Sequence, residues 1–268
     1  MHPSSRSSWT GSAILFDLDG TLVESMSTIE RHTRLWALRH GLDPDHTLEV
    51  WHGRRDSDVI ADFVPPDRVE AELQWMRDLS CRDVTGIAAA PGSRELVAAL
   101  PPEAWGIVTS GEREVALCRL AAAGIPEPRV LVSADDVVNG KPHPEGFLKA
   151  AAALGVDPAE CLVFEDAMAG VEGARAAGME AIMLGDAATS GAGVRYLSGF
   201  KKVRAVVAPE KVRAAVAPGT VSTAVAPGTV STVEAPGTVR TVEAPGTVRT
   251  VEAPETGTPS RLLLRFTA

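Results

Sequence analysis

The chain has 268 residues and a formal net charge of −9 at pH 7, and 45% of its residues are hydrophobic. This length and composition suit one substantial folded core with a smaller accessory domain. The negative charge and the lack of any block rich in lysine and arginine argue against a nucleic-acid partner, because contacts to a phosphate backbone need clustered cations. A single small anion could still be bound locally.

The first 12 residues are polar and rich in serine, without the apolar segment of a secretory signal. No stretch approaches the ~20 consecutive apolar residues that a membrane-spanning helix needs. We therefore expect residues 1–12 to form a disordered tail, and the protein to be cytoplasmic with no membrane partner. The cysteines Cys81, Cys118 and Cys161 are widely spaced and lack a Cys-x-x-Cys pair, which predicts reduced core thiols.

A short apolar run, 13–16, ends in Asp17-Leu18-Asp19-Gly20-Thr21. If the run is a buried strand, alternation places Asp17 and Asp19 on the same side at its tip, and Gly20 permits a sharp turn there. The same residues are also common in ordinary turns. The segments further along the chain decide between these two interpretations.

Residues 25–90 follow a helical pattern and contain no strong strand signal. Apolar and charged residues are interspersed with helical spacing over 27–40, just before Gly41. Further helices are predicted over 57–63 and from 67 to about 84. We interpret this segment as an inserted helical domain.

After Pro91-Gly92 the pattern changes to alternating helices and strands. The predicted strands are 105–109, 130–133, 161–164, 181–184 and 205–207, and the predicted helices are 93–100, 112–123, 144–154 and 168–177. Strands separated by helices indicate parallel βαβ crossovers, and therefore an α/β fold with helices on both faces of a parallel sheet. Residues 13–24 and 91–213 are predicted to form this core.

The chain becomes repetitive from about residue 208. Near-identical nine-residue copies begin at Ala217, Ala226, Ala235 and Ala244. The apolar residues of the copies are small, so a packed β-solenoid with one Pro-Gly turn per coil is less favoured than a low-complexity tail. We expect residues 214–268 to form a disordered tail with extended character.

Polar residues follow four of the predicted strands at their carboxyl ends, where sites in such sheets are found. They are Asp17 with Asp19, Thr109-Ser110-Gly111, Lys141 in the loop after 130–133, and Glu165-Asp166. Each has an ordinary explanation, since Thr109 and Asp166 could cap helices and Lys141 could be a solvated turn lysine. Their shared position at one edge of the sheet favours a functional site instead.

The set suits phosphoryl transfer to a carboxylate. Asp17, Asp166 and the backbone carbonyl of Asp19 would form an oxygen-only site for Mg²⁺, with Glu165 just outside the ligands. The metal is needed because an anionic carboxylate cannot easily approach an anionic phosphate.

The remaining polar groups would bind the phosphoryl oxygens. These groups are Lys141, the Thr109 hydroxyl and the backbone N–H at Ser110. Asp17 would be the nucleophile and form an aspartyl-phosphate. Asp19 would protonate the leaving alkoxide and later deprotonate water.

These residues resemble the four motifs of the haloacid dehalogenase superfamily. In order, the matching motifs are Asp17-Leu18-Asp19-Gly20-Thr21, Thr109-Ser110-Gly111, Gly140-Lys141-Pro142-His143-Pro144 and Phe164-Glu165-Asp166-Ala167. The resemblance covers roughly 13–207 and implies a Rossmann-like core with a helical cap, 25–90, inserted after the first motif. A cap that closes over the site would share in recognising the leaving group.

Two further stretches resemble the sugar- and polyol-phosphate phosphatases of this superfamily. They are His52-Gly53-Arg54-Arg55 with Asp58, and the run 133–145. By that similarity Arg55 is expected to contact the leaving portion of the substrate, although an ordinary arginine of the cap would look the same.

The resemblance implies a Mg²⁺-dependent phosphatase acting on a small phosphorylated sugar or polyol. One alternative is a phosphomutase of the β-phosphoglucomutase type, which returns the phosphoryl group to the sugar. A second is a tethering or interaction protein that acts through the repeat tail.

Overall fold

The structure is a computed structural model that describes residues 8–51, 54–185, 194–208, 230–235, 238–242, 248–252 and 261–266. The chain divides into two compact units, Met1–Ala208 with Ser260–Ala268, and Pro209–Pro259. The described strands are β1 (Ser8–Gly11), β2 (Ala13–Phe16), β3 (Val23–Glu24), β4 (Ala88–Ala89), β5 (Trp105–Val108), β6 (Leu131–Val132), β7 (Cys161–Glu165), β8 (Glu180–Leu184), β9 (Arg195–Leu197), β10 (Val203–Ala208), β11 (Val230–Ala235), β12 (Thr238–Val242), β13 (Val248–Glu252) and β14 (Arg261–Phe266). The described α-helices are α1 (Met26–Arg39), α2 (Pro44–Trp51), α3 (Asp56–Phe63), α4 (Pro66–Arg82), α5 (Ser93–Ala98), α6 (Arg113–Ala123), α7 (Glu145–Leu154) and α8 (Met168–Ala176).

A six-stranded sheet organises the first unit. Its order is β6-β5-β2-β7-β8-β9, and each neighbouring pair is parallel. All four residues of β2 are fully buried, as expected for a strand that is covered on both faces. The predicted α/β fold with a parallel sheet is confirmed.

Alternate residues of β2 enter two different hydrophobic cores. Ile14 and Phe16 pack in a core that includes Leu120 of α6. Ala13 and Leu15 face a second core, which includes Phe147 of α7. Helices therefore cover both faces of the sheet, and the polar chain that leaves β2 emerges at the sheet edge between them.

The helical insert, α1–α4, lies between β3 and β4, which pair with each other as a short antiparallel ribbon. It has a hydrophobic core of its own, made by Trp36, Trp51, Val59, Ile60, Leu73 and Met76. Trp36 is fully buried and meets the Trp51 ring edge-on at a centroid distance of 5.0 Å. Across the described helices, none is long and apolar enough to cross a membrane.

The strands at the two ends of the first unit differ from the sequence prediction. β9 extends the parallel sheet but was not predicted. β10, which contains the predicted strand 205–207, pairs instead in a separate antiparallel sheet of order β1-β14-β10. Residues 8–11 and 261–266, which we had assigned to disordered tails, are strands of this sheet. The reason is a long-range pairing, in which Leu262 and Leu264 of β14 are fully buried in the core that contains Phe16.

Because β10 and β14 pair, the repeats lie between two strands of one sheet. Ala208 pairs with Arg261, and Val203 pairs with Phe266. β10 and β14 are therefore adjacent antiparallel strands, and the repeat segment is the connection between them rather than a C-terminal tail. A closed loop tolerates added length well, because its entropic cost rises only slowly with the number of residues.

In the second unit the described strands form a three-stranded sheet of order β11-β12-β13 with antiparallel neighbours. The composition of the repeats predicts a disordered tail here rather than a β-solenoid. The described residues form strands rather than a disordered tail. The strands are antiparallel, whereas a β-solenoid stacks its coils in parallel. The first copies of the repeat, 217–229, lie outside the described residues.

Two of the three cysteines are paired. Cys81 of α4 and Cys118 of α6 form a disulfide with Cα atoms 5.4 Å apart, so the prediction of reduced thiols was wrong for this pair. The two lie 37 residues apart in the sequence, and only the packing of α4 against α6 brings them together. Cys161 is a buried free thiol, and its pKa is raised to about 12, mainly by burial.

Candidate active site

The carboxyl ends of β2 and β7 bring three of the predicted residues into direct contact. Lys141 Nζ donates hydrogen bonds to Asp17 Oδ1 at 2.6 Å and to Glu165 Oε1 at 2.5 Å. Asp17 follows β2, and Glu165 ends the neighbouring strand β7. The loop after β6 supplies the lysine. The adjacency of β2 and β7 thus explains why residues distant in sequence meet at one edge of the sheet.

Three carboxylates crowd this point. Asp17, Glu165 and Asp166 each offer an oxygen, and these oxygens lie within 4.8 Å of one another. Gly20 makes room for the group: its φ is +79°, and a Cβ at this position would collide with the Asp166 carboxylate. Residue 20 is therefore glycine for two reasons: its φ is positive, and any Cβ would overlap the Asp166 carboxylate.

The electrostatics of the cluster reflect this crowding. Burial, reinforced by Glu165 and Asp166, raises the pKa of Asp17 well above its usual value, and Lys141 only partly opposes the shift. Burial and the neighbouring Glu165 raise the pKa of Asp166 to about 7. The charges of Asp17 and Glu165 keep the pKa of Lys141 above its ordinary value despite burial. One ammonium is too little for three carboxylates, and a divalent cation fits such an oxygen-rich donor set.

Glu165 has its acceptors occupied by the protein. Its Oε1 accepts from Lys141, and its Oε2 accepts the backbone N–H groups of Asp166 and Ala167 at 3.1 and 3.2 Å. A Cβ at Gly170 would overlap its carboxylate, so the helix α8 packs directly against it. Asp17 and Asp166 have fewer of their oxygens occupied in this way, and their assignment as metal ligands remains a prediction.

The Asp19 carboxylate faces other partners. Ser25 Oγ donates to its Oδ1 at 2.6 Å, and Arg119 Nη1 donates to its Oδ2 at 2.5 Å. Sequence reasoning missed both residues, because neither belongs to a recognised motif. A usable signal existed in α6, where Arg119 shares a buried face with Val115, Ala116, Leu120 and Ala123. A charged residue on such a face needs a partner inside the protein.

The turn after β5 forms the opposite wall of the site. Thr109 is buried, and its Oγ1 accepts the N–H of Gly111 at 3.0 Å. A cleft here is lined by Thr109, Ser110 and Lys141 together with Arg55 of the helical insert. The structure thus gathers residues from the sheet edge and from the insert around one opening.

Arg55 connects the helical insert to the core. Its Nε and Nη2 bind the Asp58 carboxylate at 2.7 and 2.8 Å. Its Nη1 donates to the carbonyl oxygens of Val137 and Val138 at 3.4 and 3.1 Å. These carbonyls belong to the loop that leads to Lys141. His52 and Gly53, the neighbours quoted with Arg55, lie outside the described residues.

The chain is similar to known hydrolases over most of the first unit. The model of the haloacid dehalogenase-like hydrolases matches residues 12–178. Hexitol phosphatase A from Escherichia coli (strain K12) is 41% identical over 173 residues, which are 63% of this chain and 80% of that protein. Glycerol-1-phosphate phosphohydrolase 2 from Saccharomyces cerevisiae is 35% identical over 185 residues, 63% of this chain and 73% of that protein.

A solved structure gives the same picture of the fold. The crystal structure of a hydrolase from Pseudomonas syringae matches with a TM-score of 0.63 and 26% identity, over 70% of this chain and 94% of that one. Because the family model matches more than half of the residues, and because its four motifs meet at one edge of the sheet, the chain belongs to the haloacid dehalogenase-like hydrolases.

Proposed function

We propose that this hydrolase is a Mg²⁺-dependent phosphatase that acts on a small phosphorylated sugar or polyol. The observation that carries the proposal is the buried pairing of Lys141 with Asp17, beside Asp166, at the tip of β2. A carboxylate that would act as nucleophile, a cation that would bind the phosphate and oxygens that would bind the metal then lie close together. The names of the hexitol phosphatase and the glycerol-1-phosphate phosphohydrolase support this substrate class.

The carboxylates of Asp17 and Asp166 and the backbone carbonyl of Asp19 would hold the metal. Bound Mg²⁺ would neutralise negative charge between the nucleophile and the incoming phosphate. Glu165 would keep Lys141 in place, because its buried carboxylate shares that ammonium with Asp17.

The remaining steps use the side chains around the cleft. Lys141, the Thr109 hydroxyl and the backbone N–H of Ser110 would bind the phosphoryl oxygens. Asp17 would attack phosphorus while the bond to the leaving oxygen breaks, and Asp19 would give that oxygen a proton. Water would then attack the aspartyl-phosphate as Asp19 accepts its proton, which releases phosphate and restores Asp17.

The helical insert would act as the cap, 25–90. Arg55 lines the cleft beside Thr109 and Ser110, where the part of the substrate beyond the phosphate would lie. The ion pair with Asp58 orients its guanidinium, whose remaining N–H groups would contact substrate hydroxyls. Leaving-group recognition would therefore rest partly on the insert.

The test is phosphate release from hexitol phosphates and glycerol phosphates, with Mg²⁺ and with a chelator in its place. We expect metal-dependent release of inorganic phosphate. Formation of an isomeric sugar phosphate instead would identify a phosphomutase, for which the same residues would serve. No turnover with either metal or chelator would reject the proposed function and favour a role carried by the repeats.

A further inference from the structure

The carboxylate of Asp19 is held at both of its oxygens by groups from two different parts of the chain. Ser25 Oγ donates to Oδ1 at 2.6 Å, and Arg119 Nη1 donates to Oδ2 at 2.5 Å. Ser25 is fully buried, and Arg119 is only 8% exposed. Both donors are therefore fixed by packing, and the carboxylate they hold cannot turn freely.

The pair of Asp19 and Arg119 borders the proposed phosphate site. Arg119 Nη1 and Asp19 Oδ2 are each 3.9 Å from the point where a Cβ of residue 111 would stand, and Thr109 Oγ1 is 3.5 Å from it. Gly111 belongs to the turn that binds phosphate in the proposed function. An arginine whose sequence position is 100 residues from Asp19 thus orients it next to that turn.

We propose that Arg119 is a positioning residue for proton transfer by Asp19, with Ser25 as its second support. The inference rests on the proposed function, in which Asp19 gives a proton to the leaving oxygen as Asp17 attacks phosphorus. A hydrogen bond from a charged donor is stronger than a neutral one. Because Ser25 and Arg119 both donate, they hold the plane of the Asp19 carboxyl group whether or not it carries a proton. The remaining oxygen positions, one of which carries the proton that Asp19 gives to the leaving oxygen, then point in a fixed direction for the transfer.

A purely structural role predicts something different. If Arg119 only neutralises a half-buried charge, its loss lowers stability and affects all substrates alike. If it positions the proton donor, its loss matters most for a leaving group that needs the proton. An alkoxide needs protonation, whereas 4-nitrophenolate leaves readily without it. The ratio of kcat/KM for the two substrates therefore distinguishes a positioning role of Arg119 from a purely structural one.

The experiment compares kcat/KM for a hexitol phosphate and for 4-nitrophenyl phosphate, because kcat/KM reports only the steps up to departure of the leaving group. The variants are Arg119→Met, Arg119→Lys and Ser25→Ala. Arg34→Met is the matched control, because Arg34 forms a comparable pair with Asp45 at 2.7 Å on the exposed surface of the helical insert.

Arg119→Met is expected to lower kcat/KM for the hexitol phosphate by about 10- to 100-fold, since general acid catalysis as a whole contributes about 10²- to 10⁴-fold. The value for 4-nitrophenyl phosphate should fall by less than about threefold, Ser25→Ala should shift the ratio in the same direction, and Arg119→Lys should restore part of the loss. The control Arg34→Met should leave both values unchanged.

Equal losses on both substrates, or no loss, would overturn the positioning role while leaving the phosphatase function in place. Should Arg119→Met fail to fold, an unchanged ratio in Ser25→Ala and Arg119→Lys would overturn it as well. Absence of phosphate release by the unsubstituted enzyme would instead reject the proposed function, and the positioning role with it.

Discussion

The buried carboxylates of the active site and of the helical insert are satisfied in opposite ways. Glu72 of α4 is 1% exposed and accepts hydrogen bonds from Trp36 Nε1 at 3.2 Å and from His40 Nε2 at 3.0 Å. The guanidinium groups of Arg39 and Arg68 lie within 3.6 Å of it. In the insert, one carboxylate therefore has several donors. At the sheet edge, three carboxylates lie close together, and the ammonium of Lys141 pairs with two of them, Asp17 and Glu165.

This difference shows in the pKa values of Glu72, in the insert, and Asp17, at the sheet edge. Burial alone would raise the pKa of Glu72, but His40 and Arg39 more than offset it, and the pKa lies below its usual value. At the tip of β2, burial and neighbouring carboxylates raise the pKa of Asp17 instead. A buried charge with enough partners holds the fold together, whereas the excess of like charge at the tip of β2 is what the proposed cation would neutralise.

The largest effect is expected from Lys141→Met, which removes the one cationic side chain that, among the described residues, pairs with the cluster. Turnover should be lost, and the free energy of unfolding at neutral pH should fall by about 3–5 kcal/mol, as when one partner of a buried pair is removed. Denaturant unfolding at several pH values checks this. The loss should shrink as the pH falls, because protonation relieves the repulsion between the carboxylates. A loss that is constant with pH would contradict the excess of charge that we infer.

Mg²⁺ should stabilise the protein through the same cluster. At about 100 times its Kd, a ligand that binds only the folded state adds about 2.7 kcal/mol. Because the pKa of Asp166 is raised to about 7, the metal competes with a proton, and the rise in Tm should be larger at pH 8 than at pH 6. Asp166→Asn should abolish the rise. An unchanged rise in that variant would remove Asp166 from the metal site.

Substitution of Glu72 by Gln should act on stability alone, by about 1–3 kcal/mol at pH 7, because it weakens hydrogen bonds to a buried charge. Because the pKa of Glu72 is lowered in the folded state, its ionised carboxylate contributes fully to stability at pH values above the ordinary pKa of 4.5. That contribution is lost as the pH falls through the lowered pKa. The variant should therefore lose less stability than the unsubstituted protein on acidification. Equal acid sensitivity of the two proteins would show that Glu72 is not ionised in the fold.

The smallest effect is expected from removing the repeats while keeping β14. Deletion of residues 209–260, with a short glycine linker between Ala208 and Arg261, should leave turnover and Tm nearly unchanged. A chain that stops at residue 208 should be less stable by about 3–6 kcal/mol, because Leu262 and Leu264 leave the core. Equal stability of the two shortened chains would contradict the pairing of β10 with β14.

The residues that gather at the candidate active site were predictable as a group because they lie in short contiguous motifs. Asp17 and Asp166 each follow an apolar strand, and the βαβ pattern alone places the ends of those strands at one edge. The contacts that escaped prediction all join residues from distant segments. Periodicity shows that Arg119 and Cys118 belong to α6, but it does not reveal that Asp19 or Cys81 lies opposite them.

The same limit applies to the end of the chain. The apolar run Leu262-Leu263-Leu264 is compatible with a strand, but it follows a long repeat and has no strand close by in the sequence to pair with. The local sequence therefore gives no reason to separate residues 261–266 from the tail. Its partners, β10 and β1, are distant in the sequence, and the two leucines are buried in the same core as Phe16.

One pair of matched substitutions tests the central claim most directly. Asp17→Asn and Glu72→Gln each convert one buried carboxylate to an amide, and each variant is measured for Mg²⁺-dependent release of phosphate from a hexitol phosphate and for Tm. We predict that Asp17→Asn abolishes phosphate release with no fall in Tm, and that Glu72→Gln lowers Tm while kcat/KM stays within about twofold of the unsubstituted value. Substantial phosphate release by Asp17→Asn, at the Tm of the unsubstituted enzyme, would contradict the assignment of the sheet edge as the catalytic centre.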